Sequence, residues 1–284
     1  MDWKEAVLDG VADTAKLIPF LFVTYLLMEY VEHRTSDRTK GLIRRADRFG
    51  PLVGAALGVL PQCGFSAAAA SLYSGRVITV GTVIAVFLST SDEMLPILLS
   101  NGSEGALILR ILLVKAVYGA IAGFLVDILF RRLNTRKIGV GIHGLCEKEH
   151  CHCEESILRS AVTHTLNIVL WILLVSVALN LIIEGVGAER LSGAVFNQPV
   201  IGEILAALIG LIPNCAASVV LTELYLEGAM SGGAMMAGLM VGAGVGLLVL
   251  ARTMRSRKEF AQITAILYGA GVIGGLLVTA LHLL

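Results

Sequence analysis

The chain has 284 residues, 56% hydrophobic and 15% charged, with a mean hydropathy of +0.81. Apolar residues in that proportion overfill any single soluble core, which excludes an ordinary water-soluble enzyme or a nucleic-acid-binding domain and leaves a polytopic membrane protein. Formal net charge is zero, yet the charges are gathered into short segments whose positions report topology.

In chain order, Met1 to Lys16 carries four acids and lacks both a basic start and a small-residue cleavage site. No secretory signal is expected, so the first apolar segment, about residues 15 to 31, is expected to remain as a span. It runs into Arg34, Arg38, Lys40, Arg44, Arg45 and Arg48, a loop that the positive-inside rule makes cytoplasmic, with the N-terminus outside. Gly50 to Ser74 follows, interrupted by Pro61-Gln62-Cys63-Gly64-Phe65-Ser66. Proline removes a backbone donor and clashes with the preceding turn, so a helix break is expected just before Cys63.

If this segment crossed fully, the spans at 77–99 and 106–130 would leave Arg131, Arg132, Arg136 and Lys137 outside. A re-entrant hairpin that enters from the cytoplasm and turns at Cys63 keeps them inside and turns Asn101 to Glu104 outward. Residues 157 to 183 then cross outward, and a second hairpin, 199–226, enters from outside. A span at 230–250 returns to Arg252, Arg255, Arg257 and Lys258, and the last, 260–283, crosses out.

The second hairpin carries Pro213-Asn214-Cys215-Ala216-Ala217-Ser218, the first motif rewritten 152 residues later. The register holds without a gap: Leu72-Tyr73 falls on Leu224-Tyr225, Thr79 on Ser231 and Gly81 on Gly233. The expected fold is therefore all-α, an inverted-topology repeat in which each half is span, hairpin, span, span, and two re-entrant broken helices meet near the midplane. Each hairpin arm, roughly 17 Å as helix, suits half a bilayer. The divisions are 1–137 for the first membrane repeat, 138–156 for a cytoplasmic loop and 157–284 for the second repeat.

Ser89-Thr90-Ser91-Asp92-Glu93 interrupts the span after the first hairpin and precedes Pro96; its counterpart is Val241-Gly242-Ala243-Gly244-Val245. Both segments are expected to unwind and free carbonyls. Asp92 and Glu93 are costly inside a span unless they serve a cation, a proton or a basic partner, for which Lys115 in the next span is the candidate. Two thiols, Cys63 and Cys215, backed by Gln62, Asn214, Ser66, Ser218 and the Ser89–Ser91 segment, form a soft site with hard oxygen neighbours, suited to a thiophilic metal or metalloid. Asp92, Glu93 and Lys115 would couple its movement to a proton or ion gradient. The plainer reading makes both cysteines small packing residues at a turn.

In the loop joining the halves, His143, Cys146, His150, Cys151, His152 and Cys153 put three of five cysteines and three of six histidines within eleven residues. In a reducing compartment that crowding suits a soft or borderline metal ion, although no standard zinc-finger spacing is present; otherwise it is a polar linker. No cofactor is expected beyond such an ion. His164, beside Thr163, Thr165 and Asn167, either lines the pathway or bonds to a neighbouring helix. Glu29, Glu32 and His33 read as interfacial, Glu223 as reaching water, and His282 as without a role.

The paired Pro-Gln-Cys and Pro-Asn-Cys motifs, the run Ser89 to Pro96 and the His/Cys loop resemble a family of ten-transmembrane heavy-metal exporters, also labelled arsenic efflux or manganese transporters. Six spans and four hairpin arms make ten segments. The resemblance implies export of a metal or metalloid ion across a prokaryotic inner membrane. By analogy with other hairpin-based transporters a homodimer is expected; nucleic acid is not expected as a partner, nor enzymatic activity. Two other classes compete. A transmembrane thiol–disulfide electron carrier would pair Cys63 and Cys215 reversibly, with Cα atoms within about 7 Å. An intramembrane cysteine hydrolase would need a histidine partner that neither motif supplies.

Overall fold

A computed structural model describes residues 11, 15, 18–19, 21–23, 26, 49–60, 63–91, 94–133, 162–163, 165–174, 177, 198–254 and 256–284. Among these the secondary structure is helical, with no strands, and the elements are α1 (Gly50–Gly58), α2 (Cys63–Ser74), α3 (Val80–Ser89), α4 (Met94–Ser100), α5 (Gly105–Leu133), α6 (Thr165–Leu174), α7 (Ile201–Gly210), α8 (Cys215–Leu226), α9 (Gly232–Val241), α10 (Val245–Thr253) and α11 (Arg257–Ala280). Val80–Ser100, Gly105–Phe130, Gly232–Thr253 and Arg257–Ala280 are each long and apolar enough to cross a membrane. The 22 residues of Gly232–Thr253 reach about 33 Å, enough for the hydrocarbon layer. Leu109, Leu113, Val117, Ile121, Leu125 and Ile128 are exposed along one face of α5, a stripe that water would penalise and lipid accepts.

The elements recur at the sequence offset. Moved on by 152, α2 lands on α8 and α3 on α9 residue for residue, while α1, α4 and α5 begin within a residue of α7, α10 and α11. Local chemistry recurs with them. Thr79 caps α3 by accepting from the Thr82 amide, and Ser231 caps α9 by accepting from the Ala234 amide. Backbone also meets backbone at matched places. A Cβ on Gly58 would lie 2.7 Å from the Val86 carbonyl oxygen, and one on Gly210 would lie 2.2 Å from that of Gly238. Only glycine allows helices that close.

Packing exchanges arms between the halves. α1 lies on α3 and α5, as α7 lies on α9 and α11, but α2 packs against α10 of the other half and α8 against α4. Ser66 in the first turn of α2 touches Gly246 in the first turn of α10, and Ser74 at the end of α2 hydrogen bonds to Thr253 at the end of α10 at 2.5 Å, so the two helices run parallel. Leu21, Ile168 and Ile172, from the segments expected as the first span of each half, are buried in the same apolar cluster.

After α2 and α8 the chain turns through the same left-handed cap. The Val77 amide donates to Leu72 and the Arg76 amide to Tyr73, just as Ala229 donates to Leu224 and Gly228 to Tyr225. Gly228 takes the left-handed φ of 73° without penalty, whereas Arg76 holds φ 58° with a side chain present. Its guanidinium grips Glu259 at 2.6 and 2.9 Å, Tyr73 donates to the same carboxylate at 2.5 Å, and the cation lies 5.3 Å from the Tyr73 ring centre. Glu259 thereby holds Arg76 charged, its titration pushed further above the ordinary arginine range. This half-exposed cluster fastens the end of α2 to the start of α11.

Two sets of substitutions test these constraints by thermal unfolding in detergent. Gly210→Ala should cost about 1–3 kcal/mol because a backbone carbonyl blocks the methyl, whereas Gly269→Ala, with nothing within 4 Å, should be neutral or stabilising. Arg76→Ala and Arg76→Gly both lose the Glu259 pair, so the alanine variant should be less stable than the glycine variant by about 1 kcal/mol, the cost of the left-handed backbone.

Candidate functional site

The breaks expected from sequence are present in both halves. α1 stops at Gly58 and α2 starts at Cys63; α7 stops at Gly210 and α8 starts at Cys215, so both cysteines open a helix, at the end whose amides are electropositive. The following spans break as well. α3 ends at Ser89, with Thr90 extended at ψ 129°, and α9 ends at Val241, with Gly244 at φ 50° and ψ −132° before α10.

In each half the break before the cysteine sits against the break in the following helix pair. The Ser91 hydroxyl donates to the Val59 carbonyl at the end of α1 at 2.6 Å. In the second half a small cavity is lined by Gly210, Asn214, Ser218, Gly238, Gly242 and Gly244, joining the hairpin turn to the α9–α10 break. The arm exchange brings the halves together there, since Ser66 and Phe87 of the first half contact Gly246 just beyond the break of the second.

Lys115 is fully buried, and its Nζ donates to the Leu239 carbonyl at 2.9 Å. That carbonyl has lost its helical donor, because the Ala243 amide turns to Val241 instead. A cation from α5 of the first half thus satisfies a carbonyl freed in the second.

Of the residues singled out from sequence, Ser66, Ser89, Thr90, Ser91, Lys115, Asn214, Cys215 and Ser218 are described, and all are buried around these breaks. The hydroxyls of Ser89 and Thr90 donate to carbonyls one turn back, at 2.8 and 2.7 Å, and Ser218 donates to the Cys215 carbonyl at 2.7 Å. Their oxygens retain lone pairs for a ligand. Cys215 forms no disulfide. For Cys63 only the backbone is described. Gln62, Asp92, Glu93, His143, Cys146, His150, Cys151, His152, Cys153 and His164 lie outside the described residues. Among the described residues no three His, Cys, Asp or Glu side chains are grouped to hold a metal ion. Glu223 and His282 are exposed.

Two buried carboxyls were not singled out from sequence. Asp127 on α5 accepts from the Thr79 hydroxyl and the Gly81 amide, each at 2.8 Å. Glu203 on α7 is fully buried and accepts from the Thr279 hydroxyl at 2.7 Å. The offset of 152 puts Thr279 in the place of Asp127 and Gly233 in that of Gly81, a correspondence that would have drawn attention to both pockets.

A family model with the description "Putative, 10TM heavy-metal exporter" matches residues 3–188, which is more than half of the chain. No curated protein and no solved structure matched it. The extent of the family match, on a chain of apolar helices long enough to span a bilayer, makes this multi-pass membrane protein a member of that heavy-metal exporter family.

Proposed function

We propose that the chain exports a metal or metalloid ion from the cytoplasm, coupled to an ion or proton gradient, and that the ion binds where the cysteine-bearing hairpin turns meet the two helix breaks. One observation carries this reading: both halves, 152 residues apart, break a hairpin before a cysteine and break the next span beside it. Broken helices in matched positions supply what a transported cation needs, namely carbonyl oxygens and helix ends away from lipid. Cys63 and Cys215 add soft ligands, Gln62, Asn214, Ser66 and Ser218 add oxygen and amide groups, and Ser89 to Glu93 adds hydroxyls and carboxylates.

The sense of the chain supports an inverted repeat. α2 is parallel to α10 and antiparallel to α3, to which a short turn joins it. α3 therefore runs against α10, and so against α9, its own counterpart, which forms one span with α10. With basic loops cytoplasmic, the first hairpin enters from the inside and the second from the outside. Residues 1–137 and 157–284 form the two repeats, and the His/Cys loop at 138–156 delivers or senses the ion. The prokaryotic inner membrane is the location this reading requires. A homodimer is the assembly it favours.

The test is ion content by mass spectrometry in a metal-sensitive host, over manganese, zinc, copper, cadmium and arsenite. Wild type should lower one of these ions. Cys63→Ser or Cys215→Ser should each reduce that efflux at least about tenfold, as loss of a metal ligand does. Replacing Cys146, Cys151 and Cys153 together should only weaken it. If no ion changes while the redox state of external thiols does, the export reading fails and a thiol–disulfide carrier replaces it.

A further inference from the structure

The two halves share a small pocket between the first turn of one span and the last turns of the closing helix. In the first half it lies at Gly81, Gly123 and Asp127, and at the offset of 152 in the second half it lies at Gly233, Gly275 and Thr279. Each pocket holds one carboxyl, but from a different element. Asp127 comes from α5; Glu203 comes from α7, at the position that Pro51 occupies in the first half.

Their hydrogen bonding differs in a way that bears on chemistry. Both oxygens of Asp127 accept, Oδ2 from the Thr79 hydroxyl and Oδ1 from the Gly81 amide, so it acts as a helix cap with both oxygens engaged. Glu203 has only the Thr279 hydroxyl, on Oε1; its Oε2 is buried without a hydrogen-bond partner among the described residues. An ionised Glu203 leaves charge on a dry, unpaired oxygen, and a neutral one leaves an O–H with no acceptor beside it. Neither state is locked in.

Other ionisable groups do not settle it. α9 carries none, α8 carries Cys215 at its start, Tyr225 near its end and the exposed Glu223, and on α11 the Tyr268 hydroxyl donates to the Ile204 carbonyl at 3.2 Å. Arg257, Lys258 and Glu259 begin α11, whereas Thr279 is at its end; exposed Glu227 follows α8 and exposed His282 follows α11. None of these hydrogen bonds to Glu203. A metal ion does not fit, because a methyl on Gly233 would already lie 1.8 Å from the Thr279 hydroxyl and 3.1 Å from Glu203 Oε1, and one carboxyl with one hydroxyl is too few ligands. A proton needs no coordination shell. Access is close, since residues 198 to 201, immediately before Glu203, are exposed. The chain enters α7 through Val200 at φ 73°, a left-handed conformation that β-branched residues seldom take.

We propose that Glu203 is a proton-binding site of the second hairpin, loaded from water on the outer side and emptied during the transport cycle, a role that rests on the export reading. The Oε2 carboxylate takes one proton from outer water to become the acid, and returns it to water when the hairpin moves.

Infrared difference spectroscopy on the full-length protein in lipid, between acidic and alkaline pH, tests the site without any transported ion. Beyond the band common to all exposed carboxyls, wild type should show a separate protonated-carboxyl component, at the frequency of a buried weakly bonded acid, that disappears as pH rises. Glu203→Gln, which keeps an acceptor for Thr279, should lack that component, whereas Asp127→Asn should retain it. Thr279→Val removes the one donor favouring the carboxylate and should move the midpoint to higher pH. A Glu203→Gln difference spectrum that matches wild type throughout the protonated-carboxyl region overturns the proposal. In vesicles with an imposed pH gradient, uptake of whichever of manganese, zinc, cadmium or arsenite wild type transports should lose its dependence on the gradient in Glu203→Gln. An unchanged dependence also overturns it. If wild type moves none of these ions, the export reading fails and the infrared result alone decides the proton site.

Discussion

A helix that stops inside a bilayer leaves carbonyls without donors, and hydrocarbon offers none, at a cost of several kcal/mol for each group left bare. That constraint organises this protein. The carbonyl freed at Leu239 is met by the ammonium of Lys115 from another helix, and the one at Val59 by the hydroxyl of Ser91 beyond a different break. These two interruptions are each sealed by an element distant in sequence, which fixes α5 beside the second break and the α3–α4 segment beside the first.

Much of the architecture was legible in the residues. Proline before cysteine marked both hairpin turns, glycines at 242 and 244 marked the second span break, and the unbroken offset of 152 anticipated the matched boundaries of α2 with α8 and α3 with α9. These signals are local, arising from a missing amide or a missing side chain, and so survive in one dimension. What did not survive is which helix lies on which. Lys115 was picked out as a partner for Asp92 and Glu93, and nothing in the spacing pointed to the Leu239 carbonyl. Asp127 and Glu203 passed unnoticed because each sits near the end of an apolar run, where a charge reads as interfacial; only packing shows them buried. The exchange of α2 and α8 between halves was equally hidden, since apolar faces of alanine, leucine and valine do not name their partners.

Duplication also shows where the halves have parted. A left-handed turn that glycine makes easily in one half is made by Arg76 in the other, where the Glu259 pair offsets the strain and ties the first hairpin to the last helix. A carboxyl that caps a helix fully in one half has become a hydroxyl in the other, and a proline has been exchanged for a glutamate. The first difference places charge in one half only, whereas the second leaves one carboxyl in each half, carried by different elements.

The exchanged arms have a consequence for how the protein is made. α2 leaves the ribosome long before α10, its main packing partner, exists, and until residues 245 to 253 are synthesised it lacks that surface. During that interval the face of α2 that α10 will cover must be sheltered by the insertion machinery or by lipid. The packing of the first half is thus completed only by the arrival of the second.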